Sequence, residues 1–570
     1  MRYLIVFFVI ALSPHISFAQ SFSADYPEFS FIINDSMYFS RDALSLEKDD
    51  TAYLNFNDEI LAQVKLDTNF SKALKFDILI ENHSSDTIIF ENMVPFGQSD
   101  DHIYITSTGP WALARAKLFR PGLEPVSVIL PDNAWELGCA AISDPETLIL
   151  PPGLQDSRGL QGICAIARRK EVEEGRKRRY KTDIYPGGRV SYSIYLDQYE
   201  GEWQNGIRKM FSDHYLFDLD EFDNTLFERY DLQWIRNEYL IVLQFAWDKE
   251  FYNWHTDKYT IHEFLQEGKD LFGGYDIYGI WPTWPRLGVD QRNQWDMFSS
   301  MPGGFAEIKS ISQKMQAEGT KFFICYNPWD QSTRNEDPYK GMARLIEVSD
   351  ANGIVLDCHG WSSEQYQRAA DSIKEGVIMY SEGMAIIKDM PGIVSGRVHN
   401  AIQMSPVLNL NKIIKPEFGI FRVCEIDDSS IHREVAIAFF NGYGTELNMF
   451  APGRPESNRK DLILLSHTTK ILRENTSNFL SAEWTPLIPT LRDNIWVNHW
   501  PGKDKDLYTI YSEIPQGFKA PLFEVDADPA FHFVSLWHHQ EIPVIQKNAG
   551  ADFMSVETHA FNATDLGSRK

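Results

Sequence analysis

Cysteine is scarce, with 5 in 570 residues. So few thiols in so long a chain exclude a disulfide framework, although Cys139 and Cys164 form a candidate pair. Positive charge is also in short supply. Lys and Arg number 54 against 80 Asp and Glu, a formal net charge of −26. A surface that acidic repels phosphate backbones and anionic lipid, so nucleic acid and membrane surfaces are not expected partners. Beyond the first twenty residues no apolar run approaches the roughly 20 residues a membrane span requires, so membrane insertion is not expected either.

Several chemical signatures are missing. No G-x-G-x-x-G or G-x-x-x-x-G-K-[ST] follows any of the strands described below, which removes the usual sign of nucleotide binding. There is no G-x-S-x-G elbow for a serine nucleophile. His-x-x-x-His and His-Glu-x-x-His are absent, and no loop has calcium-ligand spacing. Asp357-Cys358-His359 carries ligand-type side chains, but their alternating directions oppose a shared ion. No metal and no cofactor are expected.

What is present is ordinary globular composition, 43% hydrophobic and 24% charged. At roughly 100–200 residues per domain the chain should form two to four domains. Aromatic content is 13%, including 15 Trp, enough for stacking surfaces as well as cores. The N-terminus, MRYLIVFFVIALSPHISFAQ, combines Arg2, an apolar run and the small-x-small end Ser17-Phe18-Ala19. It reads as a signal peptide, residues 1–19, and predicts a secreted or periplasmic protein.

Three regimes follow. Residues 20–202 are strand-like: Leu74, Phe76, Ile78 and Ile80 alternate, as do Val190, Tyr192, Ile194 and Leu196. Turn-rich segments separate such runs, predicting an N-terminal antiparallel β-sandwich. The charged stretch Arg168 to Lys181 reads as a solvated hairpin around Gly175.

Residues 203–489 instead alternate short apolar strands with helical segments. The strands are Leu240 to Trp247, Tyr275 to Trp281, Lys321 to Tyr326, Gly353 to Leu356, Val377 to Tyr380, Ile393 to Val398 and Phe418 to Val423. An eighth is read near Thr445 to Phe450, beside REVAIAFF, which suits helix or strand equally. Near-continuous apolar strands between helices mark a parallel sheet buried on both faces, and their number predicts an α/β fold of the (β/α)8 TIM-barrel type. Residues 490–570, with NIWVNHW, LYTIYSE and FHFVSLWHH, predict a smaller C-terminal β domain.

In such a barrel the working residues sit at the C-terminal strand ends. Those ends carry Trp247-Asp248, then Trp281 and Trp284 followed by Asp290 and Arg292. Next come Asn327 with Trp329 and Asp330, Asp357-Cys358-His359, Ser381-Glu382, His399-Asn400 and Glu425. Any one could be a solvated loop residue. As a set beside apolar strands they need another reason, because isolated carboxylates are expensive to bury. Trp, carboxylate and Asn together suit carbohydrate: aromatic faces stack on sugar C–H surfaces and planar polar groups fork onto hydroxyls. Hydrolysis of a glycosidic bond usually takes two carboxyl groups. Asp357 and Glu382 each follow an apolar strand directly, and those strands are consecutive. Strands about 4.8 Å apart let such carboxyls approach the roughly 5–5.5 Å of a retaining pair.

Asp ending strand four and Glu ending strand five resemble the retaining α-glycosidases of the α-amylase clan and the endo-α-N-acetylgalactosaminidases. The order of sandwich, barrel and sandwich is also similar to melibiase-type α-galactosidases. The resemblance implies that Asp357 is the nucleophile and Glu382 the acid/base, and that the bond is α-linked. Val355 stands where the amylase clan carries Arg, and that clan's His-Asp pair after strand seven is absent, so a separate family is expected. An ionised Asp357 would benefit from donors such as His359, Arg292 or Arg397, while Asp357 would help Glu382 keep its proton.

The expected protein is thus a secreted glycoside hydrolase with an oligo- or polysaccharide substrate. Trp281, Trp284 and Trp329 are the expected aromatic walls. Asp248, Asp290, Arg292, Asn327, Asp330, His359, His399 and Glu425 are expected around the sugar or the catalytic pair. A non-catalytic glycan-binding barrel and a polysaccharide lyase are the alternatives.

Overall fold

The computed structural model describes residues 26–48, 50–107, 115–129, 137–143, 162–178, 180–214, 222–282, 292–330, 336–359, 363–383, 389–398, 408–427, 429–450, 458–525, 532–542, 544–546 and 552–558. The chain divides into two compact units. One comprises residues 1–107 and 136–200, the other residues 108–135 and 201–570.

The first unit is antiparallel. Leu74–Asn82 lies between Ile60–Leu66 and the long strand Thr182–Tyr199, and Gly162–Lys177 joins Thr182–Tyr199 to Leu137–Ile142. Its apolar face follows the two-residue period of a strand: Phe76, Ile78, Ile80, Val190, Tyr192 and Ile194 are all at most 1% exposed. The charged hairpin forms, but its turn is at Arg178–Lys181, where Arg178 N donates to Lys181 O at 2.9 Å. Gly175 instead lies within the strand opposite Ile184. Cys139 and Cys164 form no disulfide with one another. They are offset in the ladder, Cys139 facing Ile166 and Cys164 facing Ala141.

The second unit contains a closed barrel of eight parallel strands. In order these are Leu240–Phe245, Ile277–Trp281, Lys321–Tyr326, Gly353–Leu356, Ile378–Ser381, Ser395–Val398, Gly419–Glu425 and Gly444–Met449. They are called strands one to eight below. Most are runs of apolar or small residues, because one face meets the barrel interior and the other meets helices. The interior is tight: a Cβ at Gly353 would sit 2.2 Å from the Phe323 ring.

Helices Ile261–Phe272, Gly304–Ala317, Pro338–Ser349, Glu364–Asp371 and His432–Phe440 occupy connections between strands. The ambiguous REVAIAFF is therefore helix. Local chemistry sets the boundaries. Gly273, at φ 75°, ends the first of these helices in the left-handed conformation. Asp337 begins Pro338–Ser349 by accepting from Tyr339 N at 3.1 Å and Lys340 N at 3.0 Å, with Pro at the first helical position.

Two further features belong to this unit. The hairpin Arg115–Arg120 and Leu123–Ile129 pairs in parallel with Leu408–Asn409 through its second strand. The C-terminal strands Ile495–Trp500 and Leu507–Ser512 form a second hairpin. It is fixed to the helix His432–Phe440 by Asn498 Nδ2 and Thr509 Oγ1, which donate to Phe440 O at 2.9 and 2.8 Å. Among the described residues no helix is long and apolar enough to cross a membrane.

Candidate active site

Parallel register explains how three distant sequence positions meet. Tyr326, Leu356 and Ser381 are partners across strands three, four and five. Asn327, Asp357 and Glu382 each follow by one residue, so they stand in a row at the barrel's C-terminal rim.

Asn327 Nδ2 donates to Asp357 Oδ2 at 2.8 Å. The Cys358 amide donates to Glu382 Oε2 at 2.5 Å, and Glu382 N donates to His359 O at 3.1 Å. Cys358 reaches that orientation in the left-handed region, φ 57°, a strained conformation for a side chain with a Cβ. The turn after strand four thus aims a backbone N–H at the neighbouring strand's carboxylate.

The two carboxylates and the Cys358 Sγ each offer an atom within 4.8 Å of the others. Burial and the Glu382 charge push the Asp357 carboxyl up to about 6, against the Asn327 hydrogen bond, the Arg397 charge and the Cys358 amide, which favour ionisation. A thiol with two carboxylates is a donor set that could hold zinc. Burial, Asp357 and Glu382 also raise the Cys358 thiol, so without an ion it keeps its proton and ligates poorly.

The other expected residues divide. Asn327 is central: besides holding Asp357, its Oδ1 accepts from Trp329 N at 2.8 Å. That bond fixes the loop presenting Trp329, whose side chain is open to solvent at 68% exposure. Asp330 serves the same loop, its Oδ2 accepting from Gln294 N at 2.7 Å. Glu425 ends strand seven and accepts from Asn448 Nδ2 at 3.1 Å. Asp248 closes the turn after strand one, its backbone O accepting from Phe251 N and Tyr252 N at 2.9 and 2.7 Å. Arg292 Nη1 donates to Ser300 Oγ at 2.5 Å, beside the helix Gln294–Ser299.

Two expectations change in character. Trp281 is only 6% exposed; the Arg397 guanidinium lies 5.1 Å above its ring, and Phe450 packs edge-on at 5.5 Å. It is packing within the barrel rather than an open wall, because the strand points it inward. His359 is buried with its ring edge-on to Tyr366, and its backbone oxygen accepts from Glu382 N. Trp284, Asp290 and His399 lie outside the described residues.

Gln294 was not anticipated. Buried at 1% exposure, it donates from Nε2 to Asn327 O at 2.9 Å and Asp330 O at 3.1 Å, and accepts from Asn327 N at 2.9 Å. It clamps the loop that positions Asn327. Only its place at the start of a helix near the strand-two loop could have suggested it. Also unanticipated is a buried polar group inside the barrel, where the Tyr380 hydroxyl donates to Glu446 Oε2 at 2.5 Å and Arg397 Nε lies 3.5 Å from the same oxygen.

No protein-family model matches the chain, and no curated protein matches it. Similar folds occur among solved structures of glycoside hydrolases. A GH31 family sulfoquinovosidase from E. rectale is 9% identical with a TM-score of 0.43, covering 93% of this chain and 92% of its own. The alpha-N-acetylgalactosaminidase NagBb from Bifidobacterium bifidum is 11% identical at 0.40, covering 86% and 92%. The GH36 alpha-galactosidase AgaA from Geobacillus stearothermophilus is 9% identical at 0.38, covering 92% and 82%. Similarity at this level establishes neither family nor activity, and the chemistry rests on the site itself.

Proposed function

We propose that the protein is a glycoside hydrolase that cleaves α-linked sugars with retention, using Asp357 as nucleophile and Glu382 as general acid/base. The observation that carries this reading is the pair itself: two carboxylates on consecutive barrel strands, with oxygens within 4.8 Å, at the rim where such barrels do chemistry. An inverting enzyme needs roughly 6.5–9.5 Å between its carboxyls to admit a water, whereas a retaining pair stands at about 5–5.5 Å. The α-linkage rests on the resemblance of the strand-four Asp and strand-five Glu to retaining α-glycosidases.

Each carboxylate is oriented by a donor from outside its own side chain, Asn327 for Asp357 and the Cys358 amide for Glu382. Asp357 would attack the anomeric carbon while Glu382 protonates the departing oxygen; Glu382 would then take a proton from water as it hydrolyses the glycosyl-enzyme. Trp329, exposed and tied through Asn327 to Asp357, is suited to stack on a bound sugar ring. Residues 1–19 would direct export, placing the enzyme with oligo- or polysaccharides outside the cytoplasm. Residues 20–202 would supply a sandwich and residues 490–570 a smaller β domain.

One observation favours exchanging the roles. Asp357, raised to about 6, holds a proton more readily than an ordinary carboxyl and could itself be the acid. Hydrolysis of a panel of aryl α-glycosides and natural oligosaccharides tests the activity. Azide then separates the roles. Rescue of Glu382→Gln but not Asp357→Asn supports the assignment, the converse reverses it, and a panel without any hydrolysis returns the protein to the glycan-binding class.

A further inference from the structure

We propose that Arg397 is a positioning residue for the carboxylate pair: a guanidinium buried in the barrel and held by Glu446 and Tyr380, whose fixed charge lets two neighbouring carboxylates share one rim. This rests on reading Asp357 and Glu382 as the working pair.

Arg397 lies on strand six, within the apolar run Ile393 to Val398, and is 2% exposed; Glu446, on strand eight, is 0% exposed. Burying either charge is costly unless it is paired. The pairing is real but incomplete. Arg397 Nε stands 3.5 Å from Glu446 Oε2, with the Trp281 ring at 5.1 Å and the Tyr380 ring at 5.8 Å from the guanidinium. Among the described residues, Arg397 Nη2 and Glu446 Oε1 have no hydrogen-bond partner. A pair serving only packing would be improved by closing those bonds or by aliphatic replacement. An arginine left with spare donors inside a barrel acts over a distance through its field.

That field reaches the rim: Gly396 is the partner of Ser381, so Arg397 on strand six stands level with Glu382 on strand five. The groups facing Asp357 are Glu382 from strand five, Asn327 and Cys325 from strand three, the adjoining Cys358, and Arg397 from strand six. Arg397 in turn faces Glu446, Tyr380, Glu382 and Cys325, and Glu446 also faces Glu425. Arg397 is the cation among these groups. Arg397 and Glu446 neutralise one another, which leaves the negative charge at the rim to the carboxylates of Asp357, Glu382 and Glu425. Without Arg397, Asp357 and Glu446 would be two uncompensated anions in one barrel, and Asp357 would hold its proton to higher pH.

The ionisation of Asp357 can be followed without catalysis. Asp357→Asn removes a carboxyl that is disfavoured when charged, so its Tm advantage over its parent should appear as Asp357 ionises. That advantage starts to grow near the ordinary value of 3.8 and levels off once pH passes the folded value, so the pH at which it levels off reports Asp357 in any parent. It is expected near 6 in the wild type and about one unit or more higher in Arg397→Met. It should fall in Glu446→Gln and return towards the wild-type value in the double variant. The acid limb of kcat/KM should move in the same directions.

An unchanged levelling-off pH and acid limb in Arg397→Met overturn the proposal, whatever that variant's own Tm. Should Arg397→Met fail to fold, the levelling-off pH in Glu446→Gln decides, and no downward movement overturns the proposal. If the levelling-off pH moves as expected but the wild type hydrolyses no glycan, the charge coupling stands and the glycosidase reading alone falls.

Discussion

The antiparallel unit and the barrel both bury polar groups, but they treat them differently. In the antiparallel unit, Asn82 is fully buried at the end of the strand that carries Phe76, Ile78 and Ile80, and its Nδ2 donates to the backbone oxygens of Asp86, Ile184 and Tyr185 at 2.8, 3.0 and 3.1 Å. That side chain ties a turn to a neighbouring strand, and its amide donor is fully occupied. In the barrel, charged groups on different strands are held by fewer bonds: half-buried Asp357 by Asn327, buried Arg397 by an ion pair at 3.5 Å, buried Glu446 by Tyr380 through one oxygen. A satisfied neutral amide is what a fold needs. Incompletely satisfied charges cost stability and persist where they do chemistry.

This contrast can be broken experimentally, the largest effect being on turnover. Asp357→Asn should lower kcat by about 10⁴-fold or more and Glu382→Gln by about 10²–10⁴-fold on natural glycans, with the fold retained by circular dichroism. Wild-type-like turnover in Asp357→Asn would remove the pair from the mechanism. Asn82→Ala should do the reverse. It should cost on the order of 2 kcal/mol in denaturant unfolding, because buried carbonyls lose their donor, while activity per folded molecule stays unchanged.

The two tryptophans sharpen the same distinction. Trp281→Ala, which opens a cavity beside Arg397, should destabilise by about 3–5 kcal/mol. Trp329→Ala should leave Tm unchanged and raise KM several-fold, since it removes only an exposed stacking face. A fall in Tm for Trp329→Ala without any change in KM would make that ring structural.

The smallest effect concerns pH. The Asp357 carboxyl lies at about 6 in the fold against an ordinary 3.8. The folded state therefore binds this proton more tightly than the unfolded chain does. The resulting stability is present below about pH 4 and is lost as pH rises through 6. Asp357→Asn should thus be more stable than wild type by on the order of 1–3 kcal/mol at about pH 8 and equal to it below about pH 4. The acid limb of kcat/KM should lie near 6, which calorimetry and kinetics over roughly pH 4–9 would check.

Much of this architecture is legible in one dimension because it depends on periodicity. Strands buried on both faces must be apolar throughout, so the barrel strands stand out as short runs, and three of them, Lys321–Tyr326, Gly353–Leu356 and the end of Ile277–Trp281, match the residues read from sequence. REVAIAFF stayed ambiguous because a short apolar run suits either period, and its helix forms where strands seven and eight must be linked in parallel. Asp357, Glu382 and Asn327 were legible for a related reason: each is a polar residue set directly after a buried strand.

Side-chain direction and partnership were not legible. Trp281 ends a strand just as a wall residue would, yet the parity of that strand turns it under Arg397. His359 follows Asp357 but contributes a carbonyl, because the left-handed Cys358 redirects the chain. Gln294 belongs to the site through bonds to Asn327 and Asp330, which follow a different strand. Sequence by itself determined which segments become strands and helices and which carboxylates end them, since hydrophobic period and strand length are local properties. The placing of Arg397 and Glu446 beside that pair was decided by the closing of the barrel, which brings strand eight against strand one and turns widely separated sequence positions into one electrostatic neighbourhood.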